Sequence, residues 1–366
     1  MTLVYALYAL YALILLGILI FVHEFGHFIL AKSVGVKVLK FSLGFGPRVI
    51  GKTYGETEYV LSALPLGGYV KMLGQSDVPE DEEEISEADK PRAYNFQPIW
   101  KRFSIVFFGP IFNLLFAVVV FFFIFLGGIP YLLPVVGEIN PDSPALRHGM
   151  MKGDSIVEVN GSPILRWDDM TSVIHGSAGK EVRLKVKRDD TILDMTVTPE
   201  KKVVKDIFGQ GKEVGLIGIA PSGKTAVEKA GVGGAMKNAV GRTWDISVLT
   251  VMSIVKLVQR VLPADTIGGP IMIFQMAGQQ ASHGPMSFFT FMAVISINLG
   301  ILNLFPIPVL DGGHLLFLGI EAVRRKPLNE KVVLVAQKIG LVLLLSLMAF
   351  ALYNDIGRLI SGKMFQ

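Results

Sequence analysis

The stretch His23-Glu24-Phe25-Gly26-His27 closes a nearly unbroken run of Leu, Ile, Val, Ala and Tyr from Leu3 to Val22. Two histidines four residues apart share one face of a helix, and Glu24 sits beside them. Two imidazoles so placed can bind a zinc ion, and a carboxylate close by can serve a metal-bound water. The run ahead of them is long enough to span a bilayer, which takes about 20 apolar residues. Ionisable residues at membrane depth are costly and are kept for function. The combination predicts hydrolysis carried out inside a membrane, against the plainer reading of two helix-end histidines that snorkel toward the headgroups.

Composition supports a membrane setting. Hydrophobic residues make up 51% and charged residues 18% of the 366, whereas soluble domains carry about 25% charged residues. With no cysteine, a disulfide framework and a cysteine zinc site are both excluded, so a zinc site must use His, Asp or Glu. The net charge of +4 is small. No stripe of Lys and Arg with interleaved aromatics points to nucleic acid. The N-terminus has no Lys or Arg before Lys32, its apolar run is long, and no small-residue cleavage site follows. It therefore reads as a retained first transmembrane helix, not a cleaved signal peptide.

Four segments reach spanning length: about Leu3 to Leu30, Phe103 to Leu126, Phe288 to Pro306 and Val332 to Tyr353. A fifth, Ile246 to Leu262, contains Lys256 and Arg260 and is expected to lie on the membrane surface as an amphipathic helix. Lys32, Lys37, Lys40, Arg48 and Lys52 follow the first span, and Lys101 and Arg102 abut the second. Arg324, Arg325, Lys326 and Lys331 separate the third and fourth. Basic loops stay cytoplasmic. The N-terminus, the large segment at about 129 to 285 and the C-terminus are then outside, weakly opposed by Arg358 and Lys363.

Residues 34 to 72 alternate and carry glycines, which predicts short strands or hairpins directly after the metal helix. Residues 77 to 90, DVPEDEEEISEADK, are acidic and poor in apolar residues and read as a solvated flexible loop, without the spacing of a calcium site. Residues 131 to 222 read as a compact domain of about 90 residues. Its expected order is strand, turn, short helix, glycine turn, strand and the Asn160-Gly161 turn, followed by a helix and a hairpin. His148 and His175 fall there without ligand spacing and are expected to be surface histidines.

A catalytic zinc takes three protein ligands and keeps one position open. The third candidate is Asp311 in NLFPIPVLDGGH, residues 303 to 314. Pro306 and Pro308 break helical hydrogen bonding, and irregular backbone at membrane depth is tolerated where it is buried in protein or lines a cavity. Asp311 as a mere helix N-cap is an equal alternative from spacing alone. Asp265 and Asp355 are fallback ligands without a supporting motif.

HEFGH together with NLFPIPVLDGG, and GPIFN at 109 to 113, resembles the site-2 protease family of intramembrane zinc metalloproteases, in its bacterial sigma-factor-regulating branch. LGFGP at 43 to 47, PLGGYVKM at 65 to 72 and IGGPI at 267 to 271 also match, so the resemblance covers nearly the whole chain. It implies a polytopic α-helical membrane protein with about four transmembrane helices, a membrane-associated β-hairpin region and an inserted α+β PDZ domain. The implied division is 1–128 for the first two spans and hairpin region, 129–223 for an extracytoplasmic PDZ domain, 224–285 for an amphipathic surface region, and 286–366 for the last two spans. It further implies Zn2+ held by His23, His27 and Asp311, Glu24 as general base, and Asn303 holding the substrate strand. Asn113 would support the core; read by itself, this lone amide in an apolar span could also be an interhelical hydrogen-bond link. The expected partners are single-span transmembrane substrates, such as an anti-sigma factor or remnant signal peptide, together with membrane lipid and no nucleic acid. The expected place is the bacterial inner membrane, with the active site near the cytoplasmic side. One departure stands out: the best-known members of that branch carry two tandem PDZ domains, and one is visible here.

Two other readings compete. A transporter would use intramembrane His, Glu and Asp and broken helices, but four spans are few, no internal repeat is visible, and transport needs no HExxH. A membrane-anchored PDZ scaffold has no use for HExxH or LDGG.

Overall fold

The computed structural model describes residues 2–75 and 85–361, with backbone only for residues 2, 3, 65 and 66. Residues 77 to 84 of the expected acidic loop, and Lys363, lie outside the described residues. The chain divides into two units. One holds the residues up to Phe123, Met236–Met252 and those from Ala264 onward; the other holds Ile124–Ala235 and Ser253–Pro263.

In the first unit, α1 (Thr2–Ser33) runs unbroken through HEFGH. After it, β1 (Val38–Tyr54) and β2 (Thr57–Met72) form an antiparallel pair that turns at Gly55, where φ is +62°. The pairing is not a plain ladder. Lys40–Leu43 have partners on both sides, Glu58–Leu61 and Gly68–Lys71, because both strands bend back at register shifts. The expected hairpin is thus present, built from long bent strands. The hairpin is seated on α1 by aromatic contacts: Phe28 lies 5.1 Å from Phe41 and 5.9 Å from Tyr59, centroid to centroid. Ala31, Val36, Val38, Met72 and Ile105 close a small core beneath them.

Next comes α2 (Ile99–Gly127), with Pro110 inside it. In the second unit β3 (Ile129–Leu132) and β4 (Val136–Ile139) precede α3 (Pro144–Arg147), capped by Ser143 Oγ, which accepts from Leu146 N. Then follow β5 (Ser155–Val159), β6 (Ser162–Pro163), α4 (Trp167–His175), β7 (Val182–Arg188) and β8 (Thr191–Val197). These strands make a sheet of order β6-β5-β7-β8. A hairpin of β9 (Glu200–Lys205) and β10 (Gly211–Leu216) was not expected from the sequence. β11 (Ile219–Pro221) pairs with β4, and β12 (Thr225–Glu228) pairs with β3. The core gathers Val136, Met150, Ile156, Met170, Leu184 and Val186, all nearly inaccessible. Each such side chain contributes about 1.5–3 kcal/mol by leaving water. The α+β character expected for 131 to 222 is what the structure shows.

α5 (Val232–Val258) begins well before the surface helix expected at 246 and ends before 262. Its sequence is only modestly apolar, and it is not among the helices long and apolar enough to cross a membrane. α6 (Pro270–Ser282), α7 (Pro285–Asn303), α8 (Asp311–Arg324) and α9 (Glu330–Ile360) complete the first unit. Four helices among the described residues have the length and composition of membrane spans: Val4–Ser33, Ile99–Gly127, Pro285–Asn303 and Glu330–Ile360. The third stops at Asn303, short of the expected Pro306, because the proline-bearing segment cannot continue the helix. α6 packs on α1 through Ala277 and the buried Ala12, Leu15 and Leu19.

Candidate metal centre

One helical turn separates His23 from His27 on α1, and their rings meet edge to face with centroids 4.9 Å apart. The third residue arrives from the far end of the chain. Between α7 and α8 the backbone makes tight turns: Ile307 N donates to Phe305 O, and Val309 N and Leu310 N donate to Ile307 O. α8 then starts at Asp311 directly against these turns. A Cβ on Gly312 would lie 2.2 Å from Phe305 O, and one on Gly313 would lie 2.4 Å from Ile307 O. Only glycines permit that approach, which explains LDGG and fixes where Asp311 points. Leu310, not Asp311, occupies the N-cap, and no side chain caps this helix.

The donor atoms form a triangle. His23 Nε2 lies 3.3 Å from His27 Nε2 and 3.1 Å from Asp311 Oδ2, and His27 Nε2 lies 3.5 Å from Asp311 Oδ1. Ligands about 2.0–2.1 Å from a tetrahedral zinc stand about 3.3 Å from one another. The three side chains therefore fit one face of a zinc tetrahedron and leave a fourth vertex. Asp311 Oδ2 is buried without a hydrogen bond of its own, as suits an oxygen meant for a cation. Among the described residues His23, His27 and Asp311 make the one such cluster of possible ligands.

The surroundings orient the candidate ligands. His27 Nδ1 lies 2.8 Å from Ile105 O, to which it can donate, leaving Nε2 free to face the cluster. Pro110, lacking an N–H, disturbs the α2 hydrogen-bond ladder near this carbonyl. Gly26 and Gly109 bring α1 and α2 together: a Cβ on Gly26 would lie 2.4 Å from Phe108 O. Farther along, Arg102 of α2 makes a two-pronged ion pair with Glu321 of α8, at 2.6 and 3.2 Å, with both side chains largely buried. This links α8 to α2.

Glu24 is half-buried on α1 next to β2: a Cβ on Gly68 would lie 3.0 Å from Glu24 Cγ. Asn303 is the last residue of α7 and half-buried. Among the described residues no side-chain hydrogen bond joins it to the triangle. The fallback ligands are used otherwise. Asp355 caps α6, its carboxylate accepting from Gly269 N, Ile271 N and Met272 N at 3.0, 3.0 and 3.1 Å. Asp265 sits in an exposed turn. His148 and His175 are exposed, as expected. Sequence reading missed the roles of Ile105, Gly68, and the Gly26 and Gly109 contact. The first two act through the backbone and leave no side-chain signature; the Gly109-Pro110 pair was the available signal for the third.

The model of peptidase family M50 matches residues 11–347. A regulator of sigma-E protease from Salmonella typhimurium is 32% identical, covering 94% of this chain and 97% of its own. That alignment runs over 449 positions against 366 residues here, so many of that relative's positions have no counterpart in this chain. A Rhizobium meliloti protein, provisionally named a zinc metalloprotease, is 36% identical over 353 positions, 93% of this chain and 94% of its own. One from Campylobacter jejuni, provisionally named likewise, is 38% identical over 95% of this chain and 92% of its own. A PDZ domain from Listeria monocytogenes aligns over 24% of this chain and 84% of its own, at 23% identity and a TM-score of 0.19.

Proposed function

Because the chain belongs to peptidase family M50, the site-2 proteases, and is a membrane metallopeptidase, we propose that it cleaves the transmembrane segments of single-span proteins. The observation that carries this reading is the triangle of His23, His27 and Asp311, assembled from a membrane-length helix and a distant helix start. These three residues would hold Zn2+. When bound, zinc lowers the pKa of its water to about 7 and polarises the scissile carbonyl. Glu24 stands outside the triangle and is the general base: it accepts the proton of the attacking water and delivers it to the leaving amine.

A peptide bond inside a helix has its carbonyl hydrogen-bonded and shielded, so the substrate must first unwind. Gly68, at the start of the strand segment Gly68–Met72, lies beside Glu24, and this region would offer an edge on which an extended substrate adds as a strand. Asn303, at the end of α7 and just ahead of the turns that deliver Asp311, helps hold that strand. Helix-destabilising residues in the substrate then matter more than a tight side-chain pocket.

The relatives named regulators of sigma-E protease favour a substrate of the anti-sigma-factor kind; a remnant signal peptide has the same single-span chemistry. The basic loops favour an active site near the cytoplasmic side of a bacterial inner membrane, with the PDZ-like segment on the other side. The test is Glu24→Gln in the full-length protein, with zinc content and cleavage of a single-span reporter measured together. Cleavage should fall by at least about 10²-fold with zinc retained. Zinc lost along with activity would make Glu24 a ligand and sink the role assignment.

A further inference from the structure

Asn113 is wholly buried on α2, one turn beyond Pro110. Its Nδ2 lies 3.0 Å from His23 Nδ1, while its Oδ1 is buried without a hydrogen-bond partner. α7 holds the residue in place. Ser296 Oγ donates to Asn113 O at 2.8 Å, and a Cβ on Gly300 would lie 3.3 Å from Asn113 Cβ.

A histidine that binds a metal through Nε2 must present a lone pair there, so its hydrogen sits on Nδ1. That N–H needs an acceptor. An amide NH2 only donates, whereas the amide oxygen accepts. The two ends of a carboxamide have nearly the same outline, so a half-turn of the amide puts Oδ1 where Nδ2 lies. His23 then matches His27, whose Nδ1 already faces the carbonyl oxygen of Ile105 at 2.8 Å. Both outer partners come from α2.

We propose that Asn113 is a positioning residue whose side-chain oxygen accepts the Nδ1–H of His23 and so turns Nε2 toward the metal. This rests on the reading of His23 as a ligand. The rival role is a structural link in which Asn113 donates to Nδ1, which would leave the hydrogen on the wrong nitrogen of His23.

The experiment is the zinc dissociation constant of the full-length protein in detergent, by competition with a chromophoric chelator. Wild type is compared with Asn113→Leu, Asn113→Asp and His23→Ala, and thermal melting checks folding. Leu keeps the bulk and removes the acceptor, so zinc should bind about 10–100-fold more weakly. Asp keeps acceptors and removes the donor, so it should bind within a few-fold of wild type. Wild-type affinity in Asn113→Leu overturns the proposal, as does a folded Asn113→Asp as weak as Asn113→Leu. Should Asn113→Leu not fold, Asn113→Ala takes its place with the same expectation. Unchanged affinity in His23→Ala would instead overturn the ligand assignment, which separates the two failures.

Discussion

Gly109 leaves room for the His27 ring: a Cβ at this position would lie 2.3 Å from both Cε1 and Nε2 of His27. No neighbouring atom can resolve that overlap cheaply, because Gly26 meets the α2 backbone at the same crossing. Gly109→Ala should therefore push the ring out of line without changing a donor atom. Zinc affinity should drop by about 10-fold or more, with cleavage falling in parallel. Unaltered zinc binding in a folded Gly109→Ala protein would show that the ring is free to move.

Asp311→Ala should lower zinc occupancy as His23→Ala does, because each removes one corner of the triangle. The readout is bound zinc per chain after dialysis. Full occupancy with retained cleavage in Asp311→Ala would place the third ligand elsewhere; the oxygens of Asp355 already accept from three backbone N–H groups.

Acid should weaken the tie between the hairpin turn and the segment before α2. Glu56 is held at about 2, against an ordinary 4.5, chiefly by Arg92 at 2.5 Å and then by Lys32 at 3.2 Å, with burial opposing. A carboxylate whose folded value is depressed adds stability that is full above about 4.5 and fades as the pH falls toward 2. The group is about one-third exposed (31%), so solvent screening keeps the effect small. Glu56→Gln should lower the melting temperature by about 1–3 °C at pH 7 and by less at pH 3. An equal difference at both pH values would exclude this linkage.

The unit at 131 to 222 contains no ligand cluster among its described residues and is expected to filter substrates without taking part in the chemistry. As a filter it would exclude substrates with a bulky outer domain until another protease trims them, so deleting it should relax that requirement while zinc stays bound. The comparison is cleavage of an intact substrate against a pre-trimmed one, with and without this unit. Loss of both cleavages in a folded, zinc-loaded protein would make it part of the catalytic apparatus.

The four long apolar helices and the HEFGH motif were legible because both are local signals. Spanning length is a run of composition, and an i, i+4 pair shares a face on any helix. The third candidate ligand was only half legible. Asp311 stood equal to an N-cap from spacing, and the close approach of Gly312 and Gly313 to the preceding carbonyls is what turns it toward the histidines.

The sequence by itself determined the membrane character, the metal-binding residue types and the α+β unit. Tertiary structure alone decided the triangle, the carbonyl of Ile105 behind His27, the amide of Asn113 behind His23 and the nearness of Gly68 to Glu24. The physical reason is that backbone atoms carry no residue-specific mark, and helices far apart in the chain meet wherever glycines let them pack. Side-chain periodicity says which face of a helix is apolar but not which partner will cover it.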